Sequence, residues 1–336
     1  MSTTQAWVAA AAHQPFVRQE IGLGPLADDE VEIAVEHCGI CHSDLSVLNN
    51  DWHSSTYPAV LGHEAVGRVT ALGAAAKGLV VGQRVGVGWN AGSCMYCRSC
   101  LAGSQHLCPR VQATILGHYG GFASSMRSHW AWVIPLPEGL NVADAGPLLC
   151  GGITVFHPLA THARATHRVG IVGIGGLGHM AVKFAAAFGC EVTAFTSSER
   201  KFDEARGFGA HHVVSSRDSA AIGRLAGSLD LILNTVNVPL DWPAFIAALA
   251  PKGRLHLLGA VLEPLQVDSL ALIFGQKCIS GSPTGSPTEM LTMLEFAARH
   301  HLAPQTEHFP MSQINDAFAH LADGKARYRI ILDADF

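Results

Sequence analysis

Residues 168–178 read Arg168-Val169-Gly170-Ile171-Val172-Gly173-Ile174-Gly175-Gly176-Leu177-Gly178, with the spacing G-x-G-x-x-G at Gly173, Gly175 and Gly178. The chain holds 35 glycines in 336 residues, so the spacing alone proves little. Its setting carries the weight: an apolar strand-like run precedes it and the amphipathic stretch His179–Phe188 follows. Each glycine has a steric task. Gly173 permits a tight turn, Gly175 lets a pyrophosphate approach the main chain, and Gly178 lets the helix pack against its strand. The loop ends at a helix N-terminus, where N–H groups and the positive dipole end favour phosphate. The competing reading is a glycine-rich turn in an unrelated α/β domain.

From about Arg168 onward the rhythm supports the first reading. Strands are expected at Arg168–Val172, Glu191–Phe195, His212–Ser215, Asp230–Val236, Arg254–Leu258 and Cys278–Gly281. Helices are expected at His179–Phe188, Arg200–Phe208 and Trp242–Leu249. This pattern describes α/β architecture with a doubly wound parallel sheet. Residues 1 to about 150 read differently. Val31–Val35, Ala65–Val69 and Arg84–Gly88 are short alternating runs punctuated by glycine, so this half is expected to be β-rich with long loops. After Gly281 a turn-rich hinge, 282–287, precedes a helix at Glu289–Arg299 and a strand at Arg329–Asp333.

The second expected strand bears on cofactor choice. An NAD site places an acid at its end to hold the ribose hydroxyls. Here Thr196 stands there, followed by Ser197, Ser198, Glu199, Arg200 and Lys201. Hydroxyls and cations suit a 2′-phosphate that an acid would repel, so NADP(H) is expected over NAD(H). Glu199 runs against this. Thr196, Ser197 and Ser198 are also good caps for the next helix, and both roles can hold at once.

Cys94, Cys97, Cys100 and Cys108 follow C-x2-C-x2-C-x7-C. Four thiolates in one short loop suit a tetrahedral zinc ion with no open position, hence a structural one. Cys108-Pro109 resembles the end of a ferredoxin iron–sulfur run, but the last spacing is longer. Free buried thiols are the third option. Three other segments stand out: Cys41 in Cys38–Asp44, His63-Glu64, and Cys150 in Gly146–Thr154. Each alone is more often core than ligand, and their wide separation means that spacing cannot prove a site.

Taken together, these motifs resemble the zinc-dependent medium-chain alcohol dehydrogenases, in the cinnamyl alcohol dehydrogenase branch. Within that branch the chain is similar to bacterial broad-specificity NADPH-dependent aldehyde reductases. Further support comes from Gly146–Phe156, Asn234–Val238 and Gly324–Arg329. The resemblance implies a GroES-like β-rich catalytic domain (1–150 and 284–336), interrupted by a Rossmann dinucleotide-binding domain (151–283), with cofactor and substrate in the cleft between them. It implies that Cys41, His63 and Cys150 bind a catalytic zinc, with Glu64 a transient fourth ligand and Asp44 orienting His63. Ser43 would bond the substrate oxygen, and Trp52 and Trp89 would line the substrate pocket. Thr154 would contact the nicotinamide, with main-chain support around Val236, Gly259 and Ser282. Arg329 would meet the pyrophosphate, and His42 sits where a phosphate contact is often found. Gly176 and Leu177 belong with the phosphate loop, and Thr196, Ser197, Ser198 and Lys201 with the 2′-phosphate.

The implied activity is reversible reduction of aldehydes to primary alcohols by hydride transfer from NADPH, with two zinc ions per chain and a homodimeric assembly. A dedicated aromatic or polyol alcohol dehydrogenase is the alternative. A non-catalytic zinc- and nucleotide-binding sensor is the other, and the presence of every catalytic ligand argues against it. One departure stands out. Many relatives carry a proton-relay His five residues after the first zinc cysteine, where this chain has Ser46. A hydroxyl passes a proton but does not store one near neutral pH. The expectation is that Ser43 passes protons through the cofactor ribose to water, with His42 or His53 as substitutes for the base.

Composition narrows the partners. Lys plus Arg minus Asp plus Glu is 22 − 27 = −5, without a basic block, which argues against nucleic acid. No apolar span of about 20 residues is present, so no membrane helix is expected. The first residues lack the basic segment of a signal peptide, and a cytoplasmic location is expected. In a reducing compartment nine cysteines read as metal ligands before disulfides. Cys38, Cys190 and Cys278 have no assigned role and are expected to be buried structural thiols.

Overall fold

The structure is a computed structural model that describes residues 2–336. The chain divides into two units, Met1–Ile153 with Thr284–Phe336, and Thr154–Pro283. In the first, the strand Glu30–Ile40 is the spine of a seven-stranded sheet. Val31, Ile33 and Val35 are buried at every second position, as a strand with one covered face requires. Strand Ala65–Leu72 runs antiparallel along one side of the spine. The other side is shared: Ser125–His129 pairs its first half and Arg329–Asp333 its second. The core beneath contains Ile33, Val69, Val85, Met126, Ile330 and Leu332, with Phe122 edge-on to Phe16 and Phe318. At about 25 cal/mol per Å2 of apolar surface, such interlocked side chains dominate the stability of this unit.

The second unit is a six-stranded parallel sheet in the order His212–Ser215, Glu191–Thr196, Arg168–Val172, Leu229–Asn234, Leu249–Leu257, Cys278–Gly281. Numbered along the chain, the order is 3-2-1-4-5-6, so connections go outward in both directions from the first strand. Such a sheet binds ligands beyond the carboxyl ends of its strands, at this switch. Several strand ends differ from the sequence expectation: the second strand runs on to Thr196, the fourth begins at Leu229, and the fifth begins at Leu249 rather than Arg254. The fourth strand stops at Asn234 because the Thr235 hydroxyl turns to the carbonyls of Val172 and Gly173, at 2.8 and 2.9 Å. The fifth stops at Leu257 because Leu258 and Gly259 both donate N–H bonds to the carbonyl of Asn234. The helix expected at Arg200–Phe208 opens as a 3-10 turn, Glu199–Lys201, before Phe202–Gly207. Ser198 holds the N-cap position but makes no side-chain cap bond; its N–H donates instead to Thr196 Oγ1 at 3.3 Å. A short helix, Ser219–Gly223, capped by Asp218, carries the third crossover, which the sequence pattern did not reveal. Among the described residues no helix is long and apolar enough to cross a membrane.

Candidate active site

Strand register assembles the first cluster. Cys38 faces Ala65 across the spine, so Cys41, just past Ile40, meets His63 and Glu64, just before Ala65. Ile330 faces Ile40, which brings Arg329 to the same end. Cys150 follows the 3-10 turn Gly146–Leu149. Glycines make this convergence possible. A Cβ at Gly39 would lie 2.0 Å from Glu64 Oε2, and one at Gly146 would lie 2.6 Å from the Glu64 carbonyl. These two glycines were not singled out from the sequence. Only the fold reveals what they face.

Ligand atoms of Cys41, His63, Glu64 and Cys150 all lie within 4.8 Å of one another, and all four residues are buried. The sulfurs of Cys41 and Cys150 are 3.9 Å apart, and His63 Nε2 is 3.2 Å from Cys150 Sγ. Asp44 organises the set. One carboxylate oxygen accepts the Cys41 N–H at 2.9 Å; the other accepts the Gly62 N–H at 3.0 Å and His63 Nδ1–H at 3.1 Å. The latter bond fixes the tautomer that turns Nε2 toward the cysteines. Burial disfavours a charged His63, but Asp44 outweighs it and raises the imidazole well above its ordinary value. A proton shared with Cys150 lowers the Cys41 thiol, against its burial, and Arg329 and His63 lower it further. Two thiols, one of them ready to ionise, and one oriented imidazole form the donor set that holds zinc with one position open. The residues therefore fit the metal.

Glu64 is bonded to the Arg329 guanidinium, and a second nitrogen of Arg329 lies 3.9 Å from Cys41 Sγ. Burial raises the Glu64 carboxyl and Arg329 opposes this. Glu64 Oε2 and Arg329 Nε remain buried without a protein partner. Trp89 stands edge-on to His63 with ring centroids 4.9 Å apart, and Trp52 lies 6.0 Å from Trp89. On the helix His42–Asn49, His42 is exposed, Ser43 half-buried and Ser46 buried. His53 is exposed on the following loop.

The second cluster is a self-contained lobe. Sulfur–sulfur distances are 3.6 Å for Cys94–Cys108, 3.8 Å for Cys97–Cys108 and 3.9 Å for Cys94–Cys100. A tetrahedron with metal–sulfur bonds of ~2.3 Å has an edge of about 3.8 Å. Thiolates around a multinuclear iron–sulfur cluster stand farther apart, so the arrangement suits one ion. Backbone donors aim at the sulfurs: Cys97 N–H to Cys94 and Arg110 N–H to Cys108, both at 3.3 Å. The Tyr96 backbone, foremost, brings the Cys94 thiol down to about 6. Cys38, Cys190 and Cys278 lie outside both clusters; the first two are buried and burial pushes their thiols up, whereas Cys278, expected to be buried, is half-buried on an edge strand.

In the parallel-sheet unit, Gly173 has φ +89°, and a Cβ there would meet Val236 Cγ1 at 2.3 Å. A Cβ at Gly178 would lie 1.7 Å from the Gly173 carbonyl, so the close approach is within the loop itself. A Cβ at Gly175 meets nothing within 4 Å, leaving its backbone open to a ligand. Such a cradle fits a pyrophosphate. Lys201 Nζ donates to the carbonyl of Ile174 at 2.8 Å, which ties the basic segment to this loop. Thr196 is buried, Ser198 half-buried, and Ser197 and Arg200 exposed. Thr154 Oγ1 donates to the Pro283 carbonyl at 3.3 Å, and Ser282 Oγ is 2.9 Å from His256 Nε2. A Cβ at Gly259 would lie 2.0 Å from the Val236 carbonyl. Asn234 and Thr235 belong to the segment Asn234–Val238 that supported the resemblance, whereas His256 also shapes this region and carries no motif by which the sequence marks it.

Comparisons with known proteins identify the family. Residues 27–138 match the alcohol dehydrogenase GroES-like domain, and residues 176–299 the zinc-binding dehydrogenase domain. The chain is 51% identical over 320 residues to the aldehyde reductase AdhA of Synechocystis sp., covering 95% of this chain and 94% of that one. It superposes on a cinnamyl alcohol dehydrogenase from Sorghum bicolor with a TM-score of 0.94 at 37% identity, covering 99% and 98% of the two chains. A cinnamyl alcohol dehydrogenase from Helicobacter pylori, solved in complex with NADP(H), gives 0.90 at 27% identity, covering 98% of each.

Proposed function

The chain belongs to the zinc-binding alcohol dehydrogenase family and is a zinc-dependent aldehyde/alcohol oxidoreductase; from that premise we propose that it reduces aliphatic and aromatic aldehydes to primary alcohols with NADPH, reversibly. The observation that carries the proposal is the buried set Cys41, His63 and Cys150 with His63 locked by Asp44. In this reading that set holds the catalytic zinc, with Glu64 its transient partner, and Cys94, Cys97, Cys100 and Cys108 hold a second, structural ion. When bound, zinc supplies a Lewis acid to the carbonyl oxygen and the reduced nicotinamide supplies the hydride.

The chain's own residues do the rest. Arg329 compensates the Glu64 charge, so that carboxylate stays near the metal ligands without being an unpaired buried ion. Trp89 and Trp52 wall the substrate side with flat apolar surface, suiting both alkyl and aryl groups. Ser43 holds a proton for the developing alkoxide. Ser46 cannot store one, so the proton passes from Ser43 toward water without a resident base there. Gly173, Gly175 and Gly178 receive the pyrophosphate, and Thr196, Ser197, Ser198 and Lys201 the 2′-phosphate. The H. pylori relative, solved with NADP(H), supports this choice. Thr154, Val236, Gly259 and Ser282 border the nicotinamide. The domain limits at 150/151 and 283/284 belong to the same reading.

Initial rates with hexanal and with benzaldehyde, each with NADPH and NADH on zinc-replete protein, test the proposal. NADPH-dependent turnover of both is expected. NADH preference overturns the cofactor assignment, and turnover of one aldehyde class alone favours a dedicated dehydrogenase. A homodimer completes the proposal. Helix Ser269–Gly275 has no buried residue, Phe274, Leu262 and Ile273 are 85%, 75% and 65% exposed, and the strand Cys278–Gly281 is an edge of its sheet. Exposed apolar surface and an unpaired strand edge are what a second copy covers. Sedimentation velocity is expected to give a dimer for the native chain and a monomer for Phe274→Glu.

A further inference from the structure

The parallel strands Leu249–Leu257 and Cys278–Gly281 set His256 opposite Ser280. The imidazole is clamped between two hydroxyls: Nδ1 is 2.9 Å from Ser280 Oγ, and Nε2 is 2.9 Å from Ser282 Oγ. Residues two apart in an extended segment share a face, so one ring bridges the end of the edge strand and the residue beyond it. His256 is 2% exposed. Burial, reinforced by His162, His157 and Arg254, brings its pKa down to about 4, so the ring is neutral near neutral pH. A neutral imidazole offers one donor and one acceptor, and here each nitrogen has a hydroxyl partner. Both serine side chains are therefore fixed in direction.

The surrounding bonds extend this clamp. Thr154 donates to the carbonyl of Pro283, next to Ser282. Asn234 Nδ2 donates to the Val236 carbonyl at 3.0 Å, and the Asn234 main-chain carbonyl receives the N–H groups of Leu258 and Gly259. All of these lie at or just beyond the carboxyl ends of parallel strands, where an open α/β sheet binds its ligand. His256 ties the Ser282 side chain to the body of the sheet.

We propose that His256 is a positioning residue for the nicotinamide end of the cofactor, acting through Ser282 to hold the segment Ser280–Pro283 in its binding conformation. The inference rests on the assignment of Thr154, Val236, Gly259 and Ser282 to the nicotinamide. A segment held in place before binding loses less freedom on binding, and its affinity rises accordingly.

The test compares the native chain with His256→Leu, which fills the volume without hydrogen bonds, and His256→Gln, which keeps one donor and one acceptor. Calorimetry measures two ligands: NADPH, and 2′-phosphoadenosine 5′-diphosphoribose, which lacks the nicotinamide. His256→Leu is expected to weaken NADPH about tenfold and leave the fragment within about twofold, with His256→Gln restoring most of the loss. Ser282→Ala is expected to match His256→Leu, and the double variant to be no weaker than either, because both act through one contact. Equal loss for both ligands with a lower melting temperature overturns the proposal in favour of simple packing. Unchanged NADPH affinity overturns it outright. If the native chain binds the fragment as tightly as NADPH, the nicotinamide assignment itself fails, and the role of His256 falls with it.

Discussion

Asp44 uses both carboxylate oxygens within the metal-ligand cluster, and no other described residue ties together Cys41, Gly62 and His63. It touches the ligands but stands outside the donor set, so its contribution is orientation. Asp44→Asn keeps the shape and one acceptor, but it loses the charge that favours an Nδ1-protonated imidazole. A loss of about 10- to 100-fold in zinc affinity or turnover is expected, the usual cost of removing such a partner. Zinc-buffered titration beside steady-state rates checks this, and an unchanged zinc affinity would show that His63 orients itself. The sequence placed Asp44 near Cys41, but its bond to His63 depends on a loop 18 residues away folding back.

The glycine loop is an element whose parts separate stability from binding. A Cβ at Gly175 points into open space, so Gly175→Ala is expected to melt within a degree or two of the native chain. In the proposed site the same methyl would stand where pyrophosphate approaches the backbone, and at least a tenfold loss of NADPH affinity is expected. Gly178→Ala differs, because its methyl would sit 1.7 Å from a backbone carbonyl that cannot step aside. Both melting temperature and cofactor affinity are expected to fall. Thermal melts paired with fluorescence titration of NADPH distinguish the two, and identical behaviour would mean that the loop relaxes as one piece. This element was legible from sequence because strand, turn and helix are contiguous. The short helix Ser219–Gly223 was not, since a five-residue helix lacks the length to show a period.

At the scale of the whole molecule, two metal sets of different character sit in one unit. In the proposed assignment, four thiolates would close the coordination sphere of one ion, whereas the Cys41–His63–Cys150 set would leave a position through which a chelator attacks. Elemental analysis is expected to give two zinc ions per chain. Mild chelation is expected to remove about one ion together with activity, while far-ultraviolet dichroism stays native. The second ion is expected to leave only under harsher treatment, with a marked fall in melting temperature, since closed thiolate sites contribute folding energy directly. Simultaneous release of both ions would contradict the separation of roles.

The sequence by itself determined whatever lies within one contiguous segment. It specified the glycine loop, the alternation of strands and helices after Arg168, the four-cysteine lobe and the hydroxyl-and-cation run Thr196–Lys201. Spacing carries these because neighbours in sequence are already neighbours in space. The tertiary structure alone decided what depends on distant segments meeting. Register across the spine strand joins Cys41 to His63, Glu64 and Arg329, and the bare Cβ positions of Gly39 and Gly146 leave room for that meeting. The parallel pairing of the last two strands of the six-stranded sheet sets His256 against Ser280 and Ser282. A buried histidine reads the same in sequence whether it fills a core or holds a site, because its meaning lies in the partners its two nitrogens find.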